Sequence, residues 1–376
     1  MRMGFAVGMG RNEKIFELGS HAQVAEESGF AHLTVGDVQN CTRDLYVKMA
    51  MAAINTRRIQ IGSGVTLPVT RHPAITATAH ATVAELAGGR VFIGFGTGGP
   101  SLSYLGLKPP TLKRLREEVD FFRQYMTGAD TEFNGVSMHS EWVRNTVPIY
   151  ISAEGPRALT LAGEIADGVY IMGGPPELVK WKIDHVYRGA EAAGRDPTKL
   201  DICSRSYIYV ADSKEEARRE TASYTASAAR DTYLAIFSRN TPEAAELADR
   251  LEEVEPGAVE EFKVVYDNFD HYQHEKTDAP HAKLVTQRVI DMTMLTGRPE
   301  DIIESIAKIG ETVSWKNKDS AFHSVTSGYY ENPDGLFDSG HIDPDEKFSY
   351  TFTEPGVYSY YCTLHPWMNG MIKVER

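Results

Sequence analysis

The chain has 376 residues, 42% of them hydrophobic and 24% charged, with a formal net charge of −13. That length fits one large domain plus a small one, or two of medium size, and the composition is globular rather than disordered. The acidic balance, unbroken by any Lys/Arg cluster, argues against a nucleic-acid partner or an anionic membrane surface.

The first residues, MRMGFAVGMG, enter a strand-like run without a signal peptide's apolar core and cleavage site, and nowhere do eighteen apolar residues run together. The three cysteines, Cys41, Cys203 and Cys362, are far apart and odd in number. A disulfide framework is not expected, and the cytoplasm is the simplest compartment. Short apolar runs at 4–7, 32–35, 59–66, 91–96, 148–152, 168–172 and 201–210 alternate with helix-like stretches at 13–28, 74–87, 112–126, 157–165 and 178–193. Strands apolar throughout, each followed by a helix, predict a parallel sheet covered by helices. Seven such units favour a TIM-type (β/α)8-like barrel over a doubly wound sheet. A long helical stretch is then predicted from 214 to 309, its acidic runs read as solvated faces. From GETVSWKNKD onward, short strands, paired aromatics and turns such as NPDG and TEPG predict a small all-β module. The boundary falls near Gly310, dividing the chain into 1–310 and 311–376.

GFGTGG at 94–99 has the glycine spacing of a dinucleotide fingerprint, but Pro100 and SLSYLGLKPP follow where a helix must open at once. The better reading is a loop at the C-terminal mouth of the fourth barrel strand, where glycine lets backbone approach a ligand. DNFDHYQHEKTDAPH gathers His271, His274 and His281 near carboxylates, yet nothing completes a metal set there. In the tail, GVYSYYCTLHPWMNGMIKVER spaces Cys362, His365 and Met368 three apart. A thiolate, an imidazole and a thioether so held form most of a blue-copper site; the alternative is a Cys and a Met buried in a small core.

The stretches IGSGVTLPVTRHPAITATAHATVAELAGGRVFIGFGTGG, VPIYISAEGPRALTLAGEIADGVYI and LTGRPEDIIESI resemble the bacterial-luciferase-like superfamily. Within it the likeness is to the methylenetetrahydromethanopterin reductase group, which uses the deazaflavin coenzyme F420. The resemblance covers about residues 2–309 and implies a barrel with the cofactor across its C-terminal mouth. It implies a non-prolyl cis peptide at Gly64–Val65 behind the ring, with Asp37 facing the cofactor as the catalytic candidate. It further implies that Gly96, Thr97 and Gly98 line one edge and that Ala153, Glu154 and Gly155 follow the fifth strand. Asp37 could instead be a loop carboxylate. Arg71-His72-Pro73 reads first as a helix start, with Pro73 at the first helical position. Two acid candidates of related enzymes are absent, since Val38 and Gly99 stand in their places.

The last 66 residues resemble the cupredoxin, or plastocyanin-like, family through ETVSWKNKDSAFHSVTS, FDSG, FSYTFTEPGVYSYYCTLHPWM and GMIKV. That resemblance implies copper held by His323, Cys362 and His365 with Met368 as the long axial ligand, His341 lying outside the set. The junction departs from both families. The barrel lacks an eighth strand after EDIIESIAKI, and the sandwich lacks the strands that precede GETVSW. ETVSW itself alternates polar and apolar, which suits a half-buried sandwich strand better than a barrel strand. An open barrel seam and an exposed sandwich edge are therefore expected.

Together these readings predict an oxidoreductase, dependent on coenzyme F420 or on FMN, that moves hydride to or from a small organic substrate and is fused to a copper electron-transfer module. FMN gains weight if the two sites exchange electrons directly, because a flavin releases electrons singly, whereas a deazaflavin does so poorly. The rival reading is a copper-binding electron carrier whose barrel is a non-catalytic scaffold. A redox partner protein and self-association are both left open.

Overall fold

The computed structural model describes residues 3–7, 14–39, 42–98, 102, 105–239, 241–270, 279–297, 312–318, 320–329, 332–352, 356–365 and 368–374. The chain divides into two compact units, Arg2–Arg205 with Ser227–Gln273, and Ser206–Ala226 with His274–Arg376.

The first unit is built on seven parallel strands in the order β1 (Gly4–Val7), β2 (His32–Val35), β3 (Gln60–Ser63), β4 (Val91–Gly96), β7 (Ile149–Ser152), β8 (Gly168–Met172) and β9 (Asp201–Arg205). Between them run α1 (Glu17–Glu27), α2 (Leu45–Asn55), α3 (Pro73–Leu86), α4 (Leu112–Met126), α5 (Pro156–Ile165) and α6 (Pro176–Ala192). Every residue of β4 is buried, the pattern of a strand covered on both faces. Leu18, Leu33, Met49, Ile61 and Val91 share one core cluster between helices and sheet, while Phe92, Tyr150 and Tyr170 form a second with Val65 and Cys203. This curled parallel sheet with its helices is a TIM-like barrel architecture.

Helix starts follow simple capping chemistry. The Asp44 side chain accepts from the amides of Tyr46 and Val47 to open α2, and Thr111 accepts from Arg114 to open α4. His72 caps α3 by accepting from Ala74, with Pro73 in the first turn, as read from the sequence. Helices α5 and α6 pack backbone against backbone. A Cβ on Gly163 would lie 1.9 Å from the Val186 carbonyl oxygen, and one on Gly189 would lie 2.0 Å from that of Thr160.

Three local readings need correction. A hairpin, β5 (Thr131–Phe133) and β6 (Val136–Met138), turns at Asn134-Gly135, both at positive φ. The Asn-Gly pair was the available signal. The run at 201–210 breaks at Ser206: β9 ends the seven-stranded sheet, while β10 (Tyr207–Val210) pairs in parallel with β11 (Met294–Gly297). The predicted helical stretch is likewise not continuous. It contains α7 (Lys214–Ala235), α8 (Pro242–Val254), α9 (Ala258–Asp267), α10 (Gln287–Thr293) and then the strand β11, entered directly from α10 with no turn residue to announce it.

The second unit carries the all-β module. β12 (Thr312–Lys316) pairs antiparallel with β15 (Lys347–Thr351), and β14 (Asn332–Asp338), β13 (Thr326–Tyr329), β16 (Gly356–Tyr361) and β17 (Asn369–Val374) form a four-stranded sheet in that order. Val325, Phe337, Ile342, Phe352 and Ile372 form its core, with Trp315, Phe348 and Tyr350 packed against them. This is a cupredoxin-like arrangement, and it takes up the alternating TVSW strand as its pattern requires. Among the described residues β12 has β15 as its one strand partner. The boundary expected near Gly310, the junction text 298–311, and His271 and His274 lie outside the described residues. Among the described residues no helix is long and apolar enough to cross a membrane.

Candidate functional site

At the C-terminal ends of β2, β3 and β4 the chain assembles a small platform. The peptide Gly64–Val65 is cis. Thr66 follows it, donating its amide to the Gly94 carbonyl at 2.8 Å and accepting from the Gly96 amide at 3.0 Å. Gly96 is needed because a Cβ there would meet the Val65 side chain at 2.6 Å. Gly64, Val65 and Gly96 are thus brought together, and Thr97 and Gly98, the latter at φ +75°, continue from the end of β4.

Asp37 is 4% exposed, just past β2. Its Oδ1 accepts from Gln39 at 2.7 Å and from Arg71 Nη2 at 3.2 Å; its Oδ2 accepts from Thr66 Oγ1 at 2.8 Å and from Arg71 Nη1. Arg71 also reaches Asp44 at 3.4 Å and lies over the Tyr46 ring. One guanidinium therefore ties the loop after β3 to the start of α2. Lys48, fully buried on α2, donates to the Gly36 carbonyl and to Thr42 at 3.2 Å. Burial pushes its ammonium down to about 8 against the pull of Asp37 and Asp44. His80 on α3 is buried with Nδ1 on the Thr76 carbonyl and Nε2 among aromatic rings, and burial lowers it to about 4.

On the other side of the mouth, Ala153 is buried and donates to the Tyr170 carbonyl at 3.0 Å, and Gly155 caps α5. Glu154 does not point freely into the opening. Its Oε1 accepts from the Met172 amide at 2.6 Å and its Oε2 from the buried ammonium of Lys182, which also donates to the Met172 carbonyl at 2.9 Å. Lys182 and the Arg71–Asp37 pairing were missed in the sequence. The signal for Lys182 was its place in the stripe Leu178, Trp181, Lys182, His185, Val186 and Gly189, the buried face of α6.

In the sandwich, His323 leads into β13 and pairs with Ile342 across an isolated bridge, while Cys362 and His365 follow β16. Cys362 Sγ lies 3.7 Å from His323 Nδ1 and 3.5 Å from His365 Nδ1, and the donor atoms of all three lie within 4.8 Å of one another. The Ser324 amide donates to Sγ at 3.3 Å. Burial alone would raise this thiol, but that amide and the two imidazoles bring it down to about 6. Ser324 Oγ also meets Thr363 Oγ1 at 2.9 Å and accepts from the Thr363 amide at 2.8 Å, which joins the two ligand-bearing segments. The Met368 backbone closes the loop, accepting from the Cys362 amide at 2.9 Å, while its side chain is 46% exposed. Two imidazoles and a low-lying thiol at this spacing form a donor set that suits copper. His341 is exposed and outside the group, and His281 is buried on the 3-10 turn Pro280–Leu284.

Comparison with known proteins agrees with this geometry. Residues 3–314 match the family model of luciferase-like monooxygenases, and residues 298–375 that of copper binding proteins of the plastocyanin/azurin family. A 5,10-methylenetetrahydromethanopterin reductase of Archaeoglobus fulgidus is 29% identical over 318 residues, covering 82% of this chain and 90% of the relative. Among solved structures, the coenzyme F420 dependent tetrahydromethanopterin reductase from Methanopyrus kandleri superposes with a TM-score of 0.66 at 23% identity, over 82% of this chain and 90% of its own. The oxygenating constituent of 3,6-diketocamphane monooxygenase from Pseudomonas putida, in complex with FMN, gives 0.53 at 16% identity, over 82% and 87%. The chain belongs to the luciferase-like monooxygenase family of oxidoreductases and carries a plastocyanin/azurin-type copper-binding domain at its C-terminal end.

Proposed function

We propose that this chain is an oxidoreductase that takes up coenzyme F420, or FMN in its place, at the C-terminal mouth of its parallel sheet, moving hydride to or from a small organic substrate. The single observation that carries this reading is the convergence of Val65, Gly96 and Asp37 at neighbouring strand ends, where barrel enzymes keep their chemistry. The structural neighbour named as coenzyme F420 dependent supports the deazaflavin, and the FMN-bound neighbour supports the alternative. Val65, backed by Gly96, offers an apolar surface for a flat ring. Asp37, bound through Thr66, holds that surface in register with β2, and the Ala153–Gly155 segment follows β7, the neighbour of β4 in the sheet. His323, Cys362 and His365 would hold copper, with Met368 as a further ligand from the same loop. When bound, the ring supplies two-electron hydride chemistry and the copper a one-electron step. The residues around them bind, orient and exclude water.

The rival reading, a copper carrier on a barrel scaffold, draws on one observation: every oxygen of Asp37 and Glu154 already accepts from the protein. Purified whole chain separates the two. Saturable binding of coenzyme F420 or FMN, followed by fluorescence, is expected; failure of both ligands to bind, with an intense visible band on Cu(II) addition, would leave the carrier reading in its place.

A further inference from the structure

We propose that Lys182 is a positioning residue that fits the barrel mouth to an anionic ligand: buried against Glu154 at the ends of β7 and β8, it neutralises a carboxylate that would otherwise repel such a ligand. The proposal rests on the cofactor reading above.

Lys182 is 0% exposed, and its ammonium spans Glu154 Oε2 and the Met172 carbonyl. Desolvating an ammonium is costly, and a buried ion pair adds little stability over well-packed apolar side chains of similar volume. Packing alone is therefore a poor reason for a lysine at the centre of the α6 stripe. The position of that lysine is also fixed. The backbone contacts at Gly163 and Gly189 seat α6 on α5, so the ammonium arrives at one place, the end of β8.

Glu154 stands between Ala153 and Gly155, in the loop after β7 that faces the mouth, with its side chain 17% exposed. Held by Lys182 and by the Met172 amide, it presents a paired rather than a bare negative charge. Both cofactor candidates carry phosphate, and an unpaired carboxylate in a partly dry opening would repel it. Lys182 thus acts on the ligand through Glu154, without touching it.

The test uses the whole chain and matched probes that differ in charge: FMN against riboflavin, and coenzyme F420 against its deazaflavin chromophore stripped of the phosphate tail. Lys182→Met should weaken the phosphate-bearing probe by about 10-fold or more while changing its phosphate-free counterpart by less than about 2-fold. The double variant Lys182→Met with Glu154→Gln should recover the loss, because the repelling charge is gone. Glu154→Gln alone, which keeps the ammonium, should hold or tighten the phosphate-bearing probe relative to the phosphate-free one, and it decides the matter if Lys182→Met does not fold. Equal losses for phosphate-bearing and phosphate-free probes, or no recovery in the double variant, would overturn the proposal while leaving the cofactor reading standing. Wild-type chain that binds none of the probes overturns both, and shows it before any variant is made.

Discussion

At the sandwich edge, His323, Cys362 and His365 turn three donor atoms toward one another, whereas at the barrel mouth Asp37 and Glu154 turn their charges toward Arg71 and Lys182. The first site is assembled from two imidazoles and a thiol whose donor atoms lie within 4.8 Å of one another. The second is assembled from backbone, a valine and glycines, with its charges already matched. A metal ion needs lone pairs supplied from the protein, so its site must gather donor atoms. A flat organic ring with an anionic phosphate tail needs a shaped apolar surface and no bare carboxylate, so a site for it would hold its own anions in place.

The widest break between the two would come from Cys362→Ser. A thiolate is the strongest donor of the triad, and its loss should abolish the intense visible band on Cu(II) addition and cut copper affinity by roughly 1000-fold, with fluorescence titration of the barrel unchanged. Copper uptake and colour equal to wild type would mean that the three atoms meet for packing alone.

A variant at Arg71 tests the barrel side. Arg71→Met leaves Asp37 buried with Thr66 and Gln39 as its remaining donors, and should cost about 3–5 kcal/mol in urea unfolding of the barrel. A loss under about 1 kcal/mol would show that the carboxylate finds water, and that the mouth is more open than its hydrogen bonds indicate.

The comparison sharpens on imidazoles. His80 is held neutral, because a proton on Nε2 would sit among the Tyr46 and Phe122 rings. Its folded value, about 4, lies below the unfolded one near 6.5, so the unfolded chain binds the proton first. The contribution is fully present above about pH 6.5 and is lost as pH falls toward 4. From pH 7 to 4.5 this should remove about 2 kcal/mol of stability. In His80→Phe that acid dependence should shrink by the same amount, measured by urea unfolding at the two pH values. An unchanged pH dependence would point to other groups.

The cluster of His323, Cys362 and His365 was legible in the sequence because the chemistry lies in residue types, and two of the three fall within one short loop after an aromatic strand. The parallel sheet was legible because its strands are apolar throughout and separated by amphipathic helices. What stayed hidden depends on partners distant in sequence. Glu154 reads as an exposed loop acid until α6 is packed and Lys182 arrives from 28 residues away. Arg71 reads as a helix preface until the loop after β3 folds back on Asp37. β11 was hidden for a different reason, since a four-residue strand running straight out of a helix has no periodicity of its own. The Asn134-Gly135 hairpin was readable and was passed over, because the text around it is short and polar.

The seam between α5 and α6 has a consequence for how this protein can vary. At Gly163 and Gly189 the neighbouring backbone oxygen occupies the space of a first side-chain carbon, at 1.9 and 2.0 Å. No rotamer relieves that, because the obstacle is main chain and the intruding atom is the one every other residue possesses. A library of substitutions should therefore go blank at two columns, alanine included, on helices that elsewhere accept exchange. Survivors should arise in pairs with shifts along α6, and such shifts would carry the Lys182 ammonium with them. A tolerance map of two empty positions would thus report, from outside, on the charge balance of the mouth.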